Sequence, residues 1–199
     1  MKASPTTEKY SAIADDLLAA APLNELGPGK PVAAIRARLA DLSVQNIFGP
    51  HAVKDQTMAE ACLSGLWLRF DYLDESHEIS QSIHNATGSF WHGIMHRREP
   101  DYGNAKYWFH RVGQHPTFPA IHSAVRKFVA SAAAAEISNE PAVAFLTNSS
   151  AWDPFKFVDL VELANRGRSK SVNWCQEVQR IEWEILFDFC FSAAAGKSP

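Results

Sequence analysis

Apolar positions recur at three- and four-residue spacing in almost every segment of this chain, which is the period of helices rather than of strands. Tyr10, Ile13, Leu17 and Leu18 mark a short amphipathic helix ending near Pro22. Gly27-Pro28-Gly29 is a turn, and Pro31 suits the first position of a helix carrying Val32, Ile35 and Leu39. After a break at Phe48-Gly49-Pro50, a long helix is predicted from about Asp55 to Leu73, with Met58, Cys62, Leu66 and Phe70 along one side. A second long helix opens at Ser76-His77-Glu78-Ile79 and runs to about Arg98, where Pro100 stops it.

Beyond that proline, Asp101-Tyr102-Gly103-Asn104 reads as a cap and first turn, leading into a short aromatic helix from Ala105 to Val112 that ends at Gly113. Further helices are predicted over Phe118 to Ala135, Pro141 to Leu146, Phe155 to Asn165 and Val172 to Phe191. No alternating Val/Ile/Thr-rich stretch with a hairpin turn appears. The expected fold is therefore all-α: a helical bundle with two long central helices packed as an antiparallel pair and shorter helices around them. The expected organisation is one domain over residues 1–199, with residues 1–50 forming N-terminal helices packed on the core and 196–199 a disordered tail.

Composition adds bounds. A chain of 199 residues with 46% hydrophobic and 21% charged residues can bury a core without staples. A net charge of −3 argues against a dedicated nucleic-acid binder, which needs a basic surplus. Cys62, Cys175 and Cys190 are widely spaced and form no C-x-x-C pair, as expected of a reduced, cytoplasmic protein. The N-terminus leads into polar residues rather than an apolar run, and charges interrupt every apolar stretch short of a membrane span. The expectation is a soluble protein with no membrane partner; its oligomeric state is open.

Chemistry concentrates between His77 and His115, which hold six of the eight histidines: His77, His84, His92, His96, His110 and His115. At about 100° per residue, His92, His96 and Glu99 share one helical stripe, and His84 borders it. Two imidazoles four residues apart can hold one metal from a single helix face, and a third donor completes a site with open positions. A divalent transition metal is thus the candidate cofactor, with His92, His96 and Glu99 as candidate ligands. Glu99 sits where the helix ends, so a third ligand from elsewhere is the alternative: His110, Asp71, or, if the chain bends, Glu78 or Asp74. On a continuous helix His77 is peripheral.

Gly93 stands where a metalloprotease H-E-x-x-H pattern needs its glutamate, and paired E-x-x-H signatures of a di-iron bundle are absent. The block from Arg97 to Arg111 mixes Arg97, Arg98, Lys106 and Arg111 with Tyr102, Tyr107, Trp108 and Phe109. Guanidinium groups beside aromatics suit a small anionic or planar ligand, with His84, Arg97, Arg98, Tyr102, Lys106 and His110 as candidate contacts. Equally, His92 and His96 can hydrogen-bond to neighbouring acids and aromatics, and the charges can pair across helices, with no ligand needed; the alternative expectation is a non-catalytic interaction protein in which the His/Arg block is a structural polar network. Reaction class and catalytic residues stay open.

The block Phe90 to Pro116, F-W-H-G-I-M-H-R-R-E-P-D-Y-G-N-A-K-Y-W-F-H-R-V-G-Q-H-P, resembles the signature of an uncharacterised family of microbial proteins. That resemblance implies only that this stretch is the family's recognisable feature; it brings no activity or catalytic residue with it.

Overall fold

A computed structural model of the chain describes residues 9–49, 51–131, 144–169 and 171–197. Every regular element among them is a helix. In chain order these are α1 (Ala12–Ala19), a 3-10 turn (Ala33–Ile35) running into α2 (Arg36–Ala40), α3 (Val44–Phe48), α4 (Gln56–Arg69), α5 (Leu73–Ser80) and α6 (Ala86–Arg98). There follow α7 (Tyr102–Val112), α8 (Phe118–Ala130), α9 (Ala144–Asn148), α10 (Pro154–Asn165) and α11 (Val172–Ala194). Aspartates start three of them. Asp55 accepts from the Met58 amide at 3.0 Å, Asp101 from Asn104 at 3.1 Å, and Asp153 from Phe155 and Lys156 at 3.0 Å. Each satisfies an amide that the first helical turn leaves without a carbonyl.

The core lies around α6, which packs against α4, α5 and α7, while α11 packs against α4, α8 and α10. All of α6 except Ala86 is buried, so it is enclosed around its whole circumference. Trp91, Phe90, Phe109, Phe157 and Phe187 fill the spaces between these helices, and the Trp183 indole donates to the Gly65 carbonyl of α4 at 2.9 Å. Burying side chains of this size contributes about 1.5–3 kcal/mol each. Phe48 of α3 stacks on Phe191 of α11, centroids 4.4 Å apart, and ties the N-terminal helices to this core. No helix among the described residues is long and apolar enough to cross a membrane.

The second predicted long helix is not continuous. Its residues form α5 and α6, separated by a turn at 81–85. Asn85 is the cause: in extended conformation (φ −141°, ψ −179°), its side chain accepts from the Gly88 amide at 2.9 Å and starts a new helix. The Ser80 and Ser82 hydroxyls bond back to the His77 and Ile79 carbonyls, offering the backbone local partners where a helix would otherwise continue. Gly88 then lets the turn close. A Cβ there would lie 2.2 Å from the Ile83 carbonyl oxygen and 2.5 Å from the Ile83 Cβ. The close approach that a glycine at this position allows is thus made by the chain's own backbone.

Between α4 and α5 the chain reverses at Asp71, whose φ of 67° is left-handed, a conformation aspartate tolerates better than most residues. Ser64 of α4 then donates to the Ser76 carbonyl at 3.0 Å, with the two hydroxyls also 3.0 Å apart, which sets α5 against α4. At the C-terminus, the Gly196 and Lys197 amides bond back to Ala193 and Ser192, capping α11; residues 198–199 of the predicted tail lie outside the described residues. So do 132–135 at the end of the predicted Phe118 helix and 141–143 at the start of the next.

Candidate metal centre

The break between α5 and α6 brings three histidines together. His77 and His92 are fifteen residues apart, which along one continuous helix is about 22 Å. Here their ring centroids are 4.5 Å apart, edge to face, and His77 is 5.4 Å from His96. His92 and His96, one turn apart on α6, stack at 4.8 Å. One ring nitrogen from each of His77, His92 and His96 lies within 4.8 Å of the others. In a tetrahedral zinc site with Zn–N near 2.0–2.1 Å, ligand nitrogens are about 3.3 Å apart, so the trio would have to draw closer to share one ion.

The surroundings hold His92 and His96 in place and disfavour their charged forms. α7 runs back along α6, so that Asn104 and Trp108, one turn apart, cover His96 and His92. The Trp108 indole stacks on His92 with centroids 3.8 Å apart and planes at 16°. The Asn104 amide nitrogen is 3.4 and 3.1 Å from the two nitrogens of His96. Near-equal distances to both put it over the ring face, because a donor on either lone pair would be far from the other nitrogen. His96 Nδ1 is 2.9 Å from Glu99 Oε2. His92 Nδ1 is buried and has no hydrogen-bond partner. Such an orphan costs about 1–3 kcal/mol, and its usual remedy is a partner that the protein itself does not supply.

Burial pushes the His92 pKa down to about 3, helped by the neighbouring His96 and His77. His96 is also lowered: burial outweighs the opposing pull of Glu99. Both imidazoles are therefore neutral near pH 7, the form that binds metal. Away from the trio, His115 lies between the Thr87 and Thr117 hydroxyls at 3.2 and 2.7 Å, and burial lowers it to about 4.

These shifts set a pH dependence. In the unfolded chain both His92 and His115 return to about 6.5 and take up protons at a pH where the folded forms do not. The contribution of these two rings to the stability of metal-free protein is therefore full above pH 6.5 and is lost as pH falls from there to about 4 for His115 and about 3 for His92. Urea denaturation of chelator-treated protein across that range should show the decline, shallower in His115→Gln. An unchanged midpoint down to pH 4 would contradict neutral burial of these rings.

The other residues expected near the site have partners inside the fold. Arg97 is fully buried and donates from Nη2 to Glu182 Oε2 of α11 at 2.5 Å, with its cation over Phe157. Arg98 pairs with Asp71 and donates from Nε to the Gly27 carbonyl at 2.9 Å. Lys106 pairs with Asp159, and the Tyr102 hydroxyl accepts from Asn165 at 2.9 Å. These bonds hold α6 and α7 to their neighbours. His84 is exposed in the turn before α6, since the helix break takes it off the His92 stripe, and His110 is exposed on α7. Glu99 touches His96 and also lines a cavity of about 540 Å³ with Asp71, Asp74, Glu75 and Asp101.

His77, which the periodicity set at the edge, stands in the trio instead. A signal for it was present at Asn85: asparagine is a favoured N-cap residue, and a helix that starts there ends the preceding one. Comparison of the chain with protein-family models, with curated proteins and with solved structures finds no match.

Proposed function

We propose that this protein binds one divalent transition metal through His77, His92 and His96, and that the remaining coordination positions take a small-molecule ligand or water. The observation that carries the reading is the convergence of three imidazole nitrogens within 4.8 Å. The unpartnered, buried Nδ1 of His92 supports it further. Three neutral nitrogen donors suit zinc, iron, cobalt, nickel or copper and not the oxygen-seeking magnesium or calcium. Such an ion would supply Lewis-acid chemistry, polarising a bound oxygen or lowering the pKa of bound water. Trp108 and Asn104 hold the His92 and His96 rings in place, and burial favours the neutral forms of those two. We also place the protein in a reducing compartment such as the cytoplasm, a reading supported by the buried cysteines Cys62, Cys175 and Cys190.

Cobalt(II) titration of untagged, chelator-stripped protein tests this. A tetrahedral ligand-field band should grow to saturation at one equivalent, bleach on adding zinc, and be unaffected by excess magnesium. Absence of any such band, with zinc also failing to bind, would remove the proposal.

A further inference from the structure

We infer that Glu99 is a positioning residue for this centre: it accepts a hydrogen bond from Nδ1 of His96 and thereby assigns Nε2 of that ring to the metal. The inference rests on the metal reading above. A neutral imidazole carries one N–H, and the nitrogen that donates cannot ligate. Glu99 Oε2 at 2.9 Å from Nδ1 is an acceptor placed on that nitrogen, so the proton belongs there and the lone pair belongs on Nε2. Asn104 does not compete for that lone pair, because its amide lies over the ring face, 3.4 and 3.1 Å from the two nitrogens.

The placement of Glu99 follows from the end of α6. As its C-cap, three residues after His96, Glu99 leaves the helical path with φ −76° and ψ 9°, and its amide still bonds to Met95. Its carboxylate therefore reaches back along the helix to the ring edge, not forward into the cluster of three. Glu99 shares its stripe with His92 and His96, yet the group of mutually close donors is His77, His92 and His96. A carboxylate–imidazole pair of this kind fixes the ring and raises the basicity of the ligating nitrogen, and losing such an outer partner typically weakens metal binding 10–100-fold.

Glu99 is solvent-accessible at the end of α6, so its substitution leaves the fold intact, which thermal melts of the metal-free variants check directly. Zinc affinity by chelator competition, together with the cobalt(II) absorption spectrum, is compared for wild type, Glu99→Gln and Glu99→Ala. The amide oxygen of glutamine still accepts from Nδ1–H. Glu99→Gln should stay within about threefold of wild type, while Glu99→Ala should lose about 10–100-fold, both with an unchanged cobalt band shape. Two results overturn the inference while leaving the metal centre standing. One is Glu99→Ala binding as tightly as wild type. The other is Glu99→Gln falling as far as Glu99→Ala with a shifted cobalt band, which would make the carboxylate a ligand. Failure of wild type to bind zinc or cobalt would instead remove the underlying reading, and this inference with it.

Discussion

Arg97→Ala is expected to lower stability by about 3–5 kcal/mol, the cost of leaving a buried carboxylate without its partner. Arg97 and Glu182 have fully buried side chains and are joined at 2.5 Å across the contact between α6 and α11. Burial pushes the Glu182 carboxyl upward and Arg97 pulls it back down, so removing the guanidinium leaves an acid that must take up a proton or stay charged in an apolar surround. The loss also removes the cation lying 4.5 Å over Phe157. Replacing both partners by apolar residues of similar size, as in Arg97→Met with Glu182→Leu, should recover most of the loss, because the desolvation cost disappears along with the attraction. Urea denaturation of the two single variants and the double variant measures this. A single variant within about 1 kcal/mol of wild type would contradict a buried, mutually dependent pair.

His77→Ala is expected to weaken zinc or cobalt binding by more than about 100-fold, beyond what loss of an outer hydrogen-bond partner produces. His92→Ala and His96→Ala should do the same. His84→Ala and His110→Ala, which alter exposed rings, should bind like wild type. Chelator-competition titration separates the two groups. The contrast between His77 and His84 is the informative one. On an unbroken helix His84 would stand nearer His92 than His77 does; with the chain turned at 81–85, His77 is the ring at 4.5 Å. Equal effects of His77→Ala and His84→Ala would deny the turned-back geometry its role. Because Trp108 stacks on His92, a paramagnetic metal in the site should also quench its fluorescence, a signal lost in Trp108→Phe.

Much of the fold was legible because its helix ends carry local chemistry. Asp55, Asp101 and Asp153 cap helices close to where the apolar period begins, and Gly113 and Gly167 follow the ends of α7 and α10 with φ of 62° and 65°. The pair His92 and His96 was readable from a four-residue spacing alone. What periodicity could not reveal was where a helical pattern stops and restarts. Both α5 and α6 are helical, so residues 76 to 98 carry an almost continuous helical character, and the break depends on Asn85 preferring to cap and on Ile83 fitting over Gly88.

That second condition is tertiary and invisible to spacing. The same limit applies to Arg97 and Arg98: their density beside histidines suggested a pocket, whereas their partners Glu182 and Asp71 come from 85 and 27 residues away. Glu99 shows the finer version. Helical spacing put it on the histidine stripe, but only the C-cap geometry directs its carboxylate to the edge of His96.

The most direct test of the metal centre is elemental analysis of untagged protein loaded with zinc and freed of excess by gel filtration, set beside the same measurement on the His77→Ala/His92→Ala/His96→Ala variant. About one equivalent of zinc in wild type and less than about one-tenth in the variant is the predicted result. Less than about one-tenth equivalent in the wild-type protein, or an equal amount in both, would contradict it.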